Sequence, residues 1–280
     1  SFWIFLNAIM DRIYWSTGQF VLGVFKGAAV VAVYAVAIQL QAIYMGFSTA
    51  ISGVFLPKVT AMVTKENNEK AISDLFIRTG RIQYIIMAFI LTGFIVFGKS
   101  FICLWAGEDY MDAYWIALCF FIPLTVPLIQ NLGITILQAR NQMKFRSLLY
   151  VIIAVSSLAI SIPLSKLYGG IGCAVGTALA LIAGQIIVMN IYYHRVIHID
   201  IYQFWKEIGK MSLAPLMIGL LFYSLFNVLE INTVWMFIIG VLVFSSIYIP
   251  LFCFFGMTSY EKELFFSPMQ RIANRFQRIL

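Results

Sequence analysis

Residues 7–17 read NAIMDRIYWST, which sets Asp11 and Arg12 side by side inside a run that is otherwise apolar and aromatic. The solvent around that run decides the fold, and composition identifies it. Hydrophobic residues make up 62% of the 280, charged residues 11%, and the mean hydropathy is +0.92. A soluble domain carries roughly 25% charged residues, so this chain belongs in a bilayer. There, only helices and closed barrels satisfy every backbone group. Barrel strands alternate apolar and polar residues over about ten positions. The runs here last about 18–25 residues, which is helix length for a hydrocarbon core of roughly 30 Å. The fold class expected is an all-α membrane protein.

Working outward from Asp11, apolar windows predict about eight transmembrane helices, at 2–24, 28–56, 82–104, 113–138, 148–166, 171–193, 211–228 and 233–255. When successive breaks alternate sides, all 19 lysines and arginines fall on one side except Lys26, Lys99, Lys166 and the intramembrane Arg12. The opposite side gathers Glu108, Asp109, Asp112 and Glu230. Lys/Arg bias sets orientation, so the basic side is cytoplasmic, with the start of the chain and its C-terminus both there. The net charge of +7 then reflects topology and attraction to anionic membrane lipids, and calls for no nucleic acid. The tail SPMQRIANRFQRIL reads as a basic amphipathic helix on the cytoplasmic leaflet, with Ser267 as N-cap and Pro268 at the first helical position. No secretory leader stands out, and Ser1 opens directly onto an apolar run, as in part of a longer polypeptide.

Reactive chemistry finds little support. The cysteines (103, 119, 173 and 253) lie in apolar runs without CxxC spacing and read as small hydrophobes. His194 and His198 have i, i+4 spacing but lack the further ligands of a zinc site, so no metal and no cofactor is expected. No P-loop or nucleophile elbow appears, and the chain is not expected to be an enzyme.

Polar residues inside the spans point elsewhere. A mid-bilayer charge costs at least about 2.5–3.5 kcal/mol, which adjacent opposite charges reduce. Asn7, Asp11, Tyr14 and Gly18 follow one helical stripe; Arg12, Ser16 and Gln19 follow its neighbour. Two readings compete: the wall of a hydrated cavity, or a local Asp11–Arg12 ion pair that fixes packing. In the cavity reading Arg12 attracts an anionic group and Asp11 holds a proton or cation. Tyr34, Gln41, Tyr44, Ser48 and Ser52 form a polar stripe in the second span. The fourth holds Gln130, Asn131, Thr135 and Gln138 beside Pro123 and Pro127, whose spacing predicts a kink. Gly172, Gly176, Ala180 and Gly184 make a small-residue stripe suited to close helix contact.

Three segments resemble a known family. GVFKGAAVVAVYAVAIQLQAIYMGFSTAISGVFLPKVTAM, LWAGEDYMDAYWIALCFFIPLTVPLIQNLGITILQARNQMKFRS and LYGGIGCAVGTALA are similar, in order and spacing, to the second half of polysaccharide (O-antigen/lipid-linked oligosaccharide) flippases. These belong to the multidrug/oligosaccharidyl-lipid/polysaccharide exporter superfamily. The resemblance implies the second lobe of a two-lobed transporter plus two extra helices. Residues 1–193 would be the six-helix lobe, 194–210 a cytoplasmic interfacial connection, 211–255 the two additional helices and 256–280 the cytoplasmic tail. It also implies alternating access around a central cavity in the cytoplasmic membrane, moving a lipid-linked oligosaccharide (a polysaccharide repeat unit) alongside polysaccharide assembly machinery. Arg12 is then the expected contact to the anionic head. Asn7, Tyr14, Gln19, Gln41, Tyr44 and Asn131 are the expected partners of sugar hydroxyls, with Asp11 beside them.

Three other functions compete. A cation-coupled multidrug exporter of the same superfamily would need intramembrane carboxylates, and Asp11 alone is available. A membrane glycan polymerase or glycosyltransferase would need a large catalytic loop, and every break here is short. A non-transporting membrane subunit is the third.

Overall fold

Lys26-Gly27 turns the chain between its first two helices. The Lys26 and Gly27 amides both donate to the Leu22 carbonyl, at 2.8 and 3.2 Å, and Gly27 takes φ 85°, a conformation that costs glycine little. This closes α1 (Phe2–Phe25) and starts α2 (Ala28–Lys65). The computed structural model describes residues 2–65, 69–228 and 233–265. Further along run α3 (Glu69–Trp105), α4 (Asp112–Ile129), α5 (Leu132–Ala139), α6 (Met143–Leu181), α7 (Met189–Arg195), α8 (Ile201–Val228) and α9 (Val234–Phe255). A 3₁₀ turn, Glu108–Tyr110, precedes α4, and a π-helical stretch, Ile182–Val188, joins α6 to α7. The described residues contain no strand.

The all-α membrane architecture holds, with differences in detail. Six described stretches are long and apolar enough to cross a membrane. One of them, Met143–Arg195, has 53 residues and contains a sharp bend at Gly169 (φ 60°, ψ −136°), which yields the two legs expected from the sequence. The 24-residue α1 is long enough to cross but is not among the six, because its polar residues dilute the apolar run. The count of eight is therefore approximate. α3 begins well before residue 82 because the helix continues past the apolar window through Arg78 and Arg81. In the fourth span the prolines stay inside α4, and the chain breaks three residues after Pro127, at Gln130–Asn131. Between 194 and 210 most residues are helical, since α8 starts at Ile201. The amphipathic tail from Ser267 onward lies outside the described residues.

Two apolar cores hold the bundle. The larger joins α1–α7 and the first turns of α8, around Leu22, Tyr34, Met87, Phe120, Ile136 and Phe204. The small-residue stripe brings the legs of α6 together. A Cβ at Gly172 would strike the Leu164 carbonyl, and one at Gly176 would strike Ser161, whose hydroxyl donates to the Cys173 carbonyl at 3.1 Å. The second core is aromatic and consists of α8, α9 and one face of α3: Phe97, Phe222, Phe244, Tyr248 and Phe252.

Candidate functional site

Adjacent helical residues point about 100° apart, and that angle separates Asp11 from Arg12. The inner face of α1 carries Tyr14, Gly18, Val21 and Leu22. The Tyr14 hydroxyl donates to the Thr177 carbonyl at 2.7 Å. Asp11 is half-buried beside this face and interacts with the Trp15 and Tyr150 side chains and with the charge of Arg146 on α6. Arg12 turns away and is exposed. The local Asp11–Arg12 pair, one of the two readings open from sequence, gives way to an interaction across helices.

Arg146 is only 5% exposed. Its guanidinium lies 5.2 Å from the Tyr150 ring centre, bonds to Tyr193 and reaches the Gln185 side-chain oxygen at 3.5 Å. Arg146 Nε and Gln185 Nε2 have no partner, and Gln185 sits in the π-helical stretch. Such stretches recur at functional sites because the widened turn re-aims side chains. Asn7, one turn before Asp11, also holds a buried Nδ2 without a partner. Gln19 is half-buried.

The remaining expected residues are engaged in packing. Gln41 is buried and donates to the Met45 sulfur. Tyr44 bonds to the Thr125 hydroxyl at 2.8 Å and stacks on Phe121 at 4.3 Å. Ser48 donates to the Leu128 carbonyl at 2.8 Å, beside the backbone bond that carbonyl accepts from the Asn131 amide at 3.3 Å. Asn131 donates to Ser52 at 3.0 Å. The α2 stripe therefore faces α3, α4 and α5. Its opposite side carries an exposed glutamine, Gln39, that the sequence reading missed. The signal was present: residues 39 and 41 lie about 200° apart on a helix, so one of the two glutamines had to face outward. Counting from the Gly27 turn, Gln39 lies at a depth of about 18 Å and Arg12 at about 22 Å. Arg12, Ser16 and Gln39 are thus exposed polar groups within the same central band of the hairpin.

A separate feature is a groove of about 350 Å³ between α3, α4 and α8, lined by Tyr84, Leu91, Thr92, Leu216, Leu220 and Tyr223 among others. Its walls are almost wholly apolar, and periodicity alone gave no sign of it. Among the described residues no group of three or more His, Cys, Asp or Glu side chains could hold a metal ion.

This architecture is that of a helical membrane protein with exposed polar groups midway along its first hairpin and a lateral apolar groove. Comparison with known proteins agrees. Residues 1–114 match a family described as "Polysaccharide biosynthesis protein". The chain is 24% identical over 260 residues to the "Probable low-salt glycan biosynthesis flippase Agl15" of Haloferax volcanii, covering 90% of this chain and 50% of that protein. In fold it is similar to the lipid II flippase MurJ in an inward closed conformation, with a TM-score of 0.69, 16% sequence identity, and coverage of 95% of this chain and 53% of that one. The chain spans about half the length of each. The chain is thus a multi-pass membrane protein that is similar to these polysaccharide biosynthesis proteins and flippases.

Proposed function

We propose that this chain forms one lobe of a transporter that moves a lipid-linked oligosaccharide across the cytoplasmic membrane by alternating access, with no chemical step of its own. Residues 1–193 act as the lobe and 194–210 as the cytoplasmic connection. Residues 211–255 are the added helix pair, and 256–280 a basic tail on anionic lipid. The start of the chain and its C-terminus face the cytoplasm. The observation that carries this reading is the exposure of Arg12 near the middle of α1. Facing lipid there, the guanidinium would cost about 2.5–3.5 kcal/mol or more. Facing a hydrated cavity between two lobes, it meets water and an anionic head.

Each residue then has a task. Arg12 draws in the pyrophosphate of the lipid-linked glycan, with Asp11, Asn7 and Gln19 beside it and Ser16 and Gln39 on the same wall offering bonds to sugar hydroxyls. Tyr14, Gln41, Tyr44 and Asn131 hold the helices that present this wall. The apolar groove beside α8 takes the lipid tail. Rocking of the two lobes exposes the cavity to each side in turn. Replacing Arg12 with Gln in the complete transporter, at normal protein level, should abolish surface glycan while Arg12→Lys retains part of it. Unchanged export by Arg12→Gln rejects the role.

A further inference from the structure

Arg81 is 7% exposed, and its guanidinium is divided among three residues in two segments. Nη1 donates to Glu207 of α8 at 2.7 Å. Nε and Nη2 donate to Glu261 at 2.6 and 3.0 Å, and Nη2 also reaches the Gly256 carbonyl at 3.2 Å. Glu261 is 3% exposed and has a second task. The Thr258 amide donates to its carboxylate at 2.8 Å, and its own amide donates to the Thr258 hydroxyl at 3.4 Å. That reciprocal pair is a capping box at the start of the helical turn after α9. One turn earlier on α3, Arg78 stands 5.8 Å from the Tyr260 ring centre. Two arginines of α3 therefore grip the segment after α9, and one of them also grips α8.

The two carboxylates differ. Glu261 is enclosed and committed. Glu207 is more exposed and has an alternative partner, Lys210, at 3.1 Å. If α8 leaves Arg81, the Glu207 charge keeps a counterion and Arg81 keeps Glu261, so nothing charged is stranded, which is what makes breaking a buried pair costly. The lateral groove begins just above. Tyr84 lines it and bonds to Ser212 at 2.6 Å, and Pro215 lines the facing wall. A proline removes a ladder hydrogen bond and permits a bend. The buried members of the core of α8 and α9 are joined from outside that pair by Ile85 and Phe97 of α3.

We propose that Arg81 is an ionic latch, fixed to residues 256–261 and releasable from Glu207, that holds the cytoplasmic end of α8 on α3 and sets the width of the groove's mouth. The latch acts whatever molecule the groove accepts. Spin labels at Ile122→Cys and Leu213→Cys, both on exposed positions, report the separation across the mouth. The measurement uses the full chain in nanodiscs with the native cysteines replaced by alanine. Glu207→Gln should lengthen and broaden the distance distribution, and Arg81→Gln should do so at least as much. Glu261→Gln should leave it closed, and a control pair at Leu148 and Ile187 should not change in any variant. A wild-type distribution in Glu207→Gln overturns the latch, and so does a lengthening in Glu261→Gln equal to that in Glu207→Gln. If Arg81→Gln does not accumulate, the two glutamate variants decide, because each leaves Arg81 one carboxylate.

Discussion

Helices α1–α7, the proposed lobe, and the α8–α9 pair meet the same problem by different means. Within lipid, apolar side chains gain nothing by leaving one apolar medium for another, so helices associate through close approach and buried polar bonds. In the lobe, glycines accept neighbouring rings and hydroxyls: Gly18 receives Tyr34, Gly133 receives Tyr193, and Gly176 receives Ser161. Hydroxyls then tie helix to helix, as from Tyr14 to Thr177 and from Ser48 to Leu128. The α8–α9 pair instead interlocks rings. Phe244 meets Phe97, Phe222 and Tyr248 with centroids 5.2–5.6 Å apart, and Arg81 supplies an ionic clamp below them. Many small ties make a lobe suited to moving as one body. A ring core above one reversible clamp makes a pair suited to shifting against it.

That contrast can be broken or sharpened by substitution, most strongly at the clamp. Arg81→Ala strands the buried Glu261 carboxylate and should cost about 3–5 kcal/mol in unfolding measurements in detergent, whereas Lys210→Ala, on an exposed side chain, should change little. In the lobe, Gly176→Val forces a side chain against Ser161 and should cost about 1–3 kcal/mol. Gly209→Val has open space around its Cβ and should stay within about 0.5 kcal/mol of wild type in the same assay. Tyr44→Phe removes one of many ties and should cost about 0.6 kcal/mol, since Thr125 retains its bond to the Phe121 carbonyl.

The smallest effect concerns pH. Burial alone would raise the Glu261 carboxyl, but bonds from Arg81 and Thr258 and the Arg81 charge hold it below its usual 4.5. A depressed carboxyl stabilises the fold above its unfolded value and loses that contribution as pH falls through the folded one. The melting temperature should therefore drop below about pH 4.5, and Glu261→Gln should flatten that part of the profile.

Much of the fold was legible in the sequence. Apolar run lengths gave the helices, and the glycines at 27 and 169 marked turns that φ values of 85° and 60° require. The start of α3 was not legible, because Arg78 and Arg81 look like loop residues until their partners are known. The partners of Arg81 lie 126 and 180 positions away, beyond any periodicity argument. In α2, polarity picked out residues that the structure engages in packing and passed over the exposed Gln39. Tyr44 and Ser48 are polar because helix ends and hydroxyls need partners, while Gln39 is polar and exposed. Asp11 and Arg12 looked like a pair only because adjacency in sequence hides the angle between them.

The central claim is that the face of α1 and α2 bearing Arg12, Ser16 and Gln39 contacts water rather than lipid. Thiol labelling of Ser16→Cys and Gln39→Cys with a charged, water-soluble reagent tests it in the complete transporter in native membranes, with Leu221→Cys on the exposed side of α8 as the lipid-facing control. The account predicts rapid modification of Ser16→Cys and Gln39→Cys and none of the control. Thiols at 16 and 39 that resist the charged reagent yet react with a lipid-soluble one would contradict it.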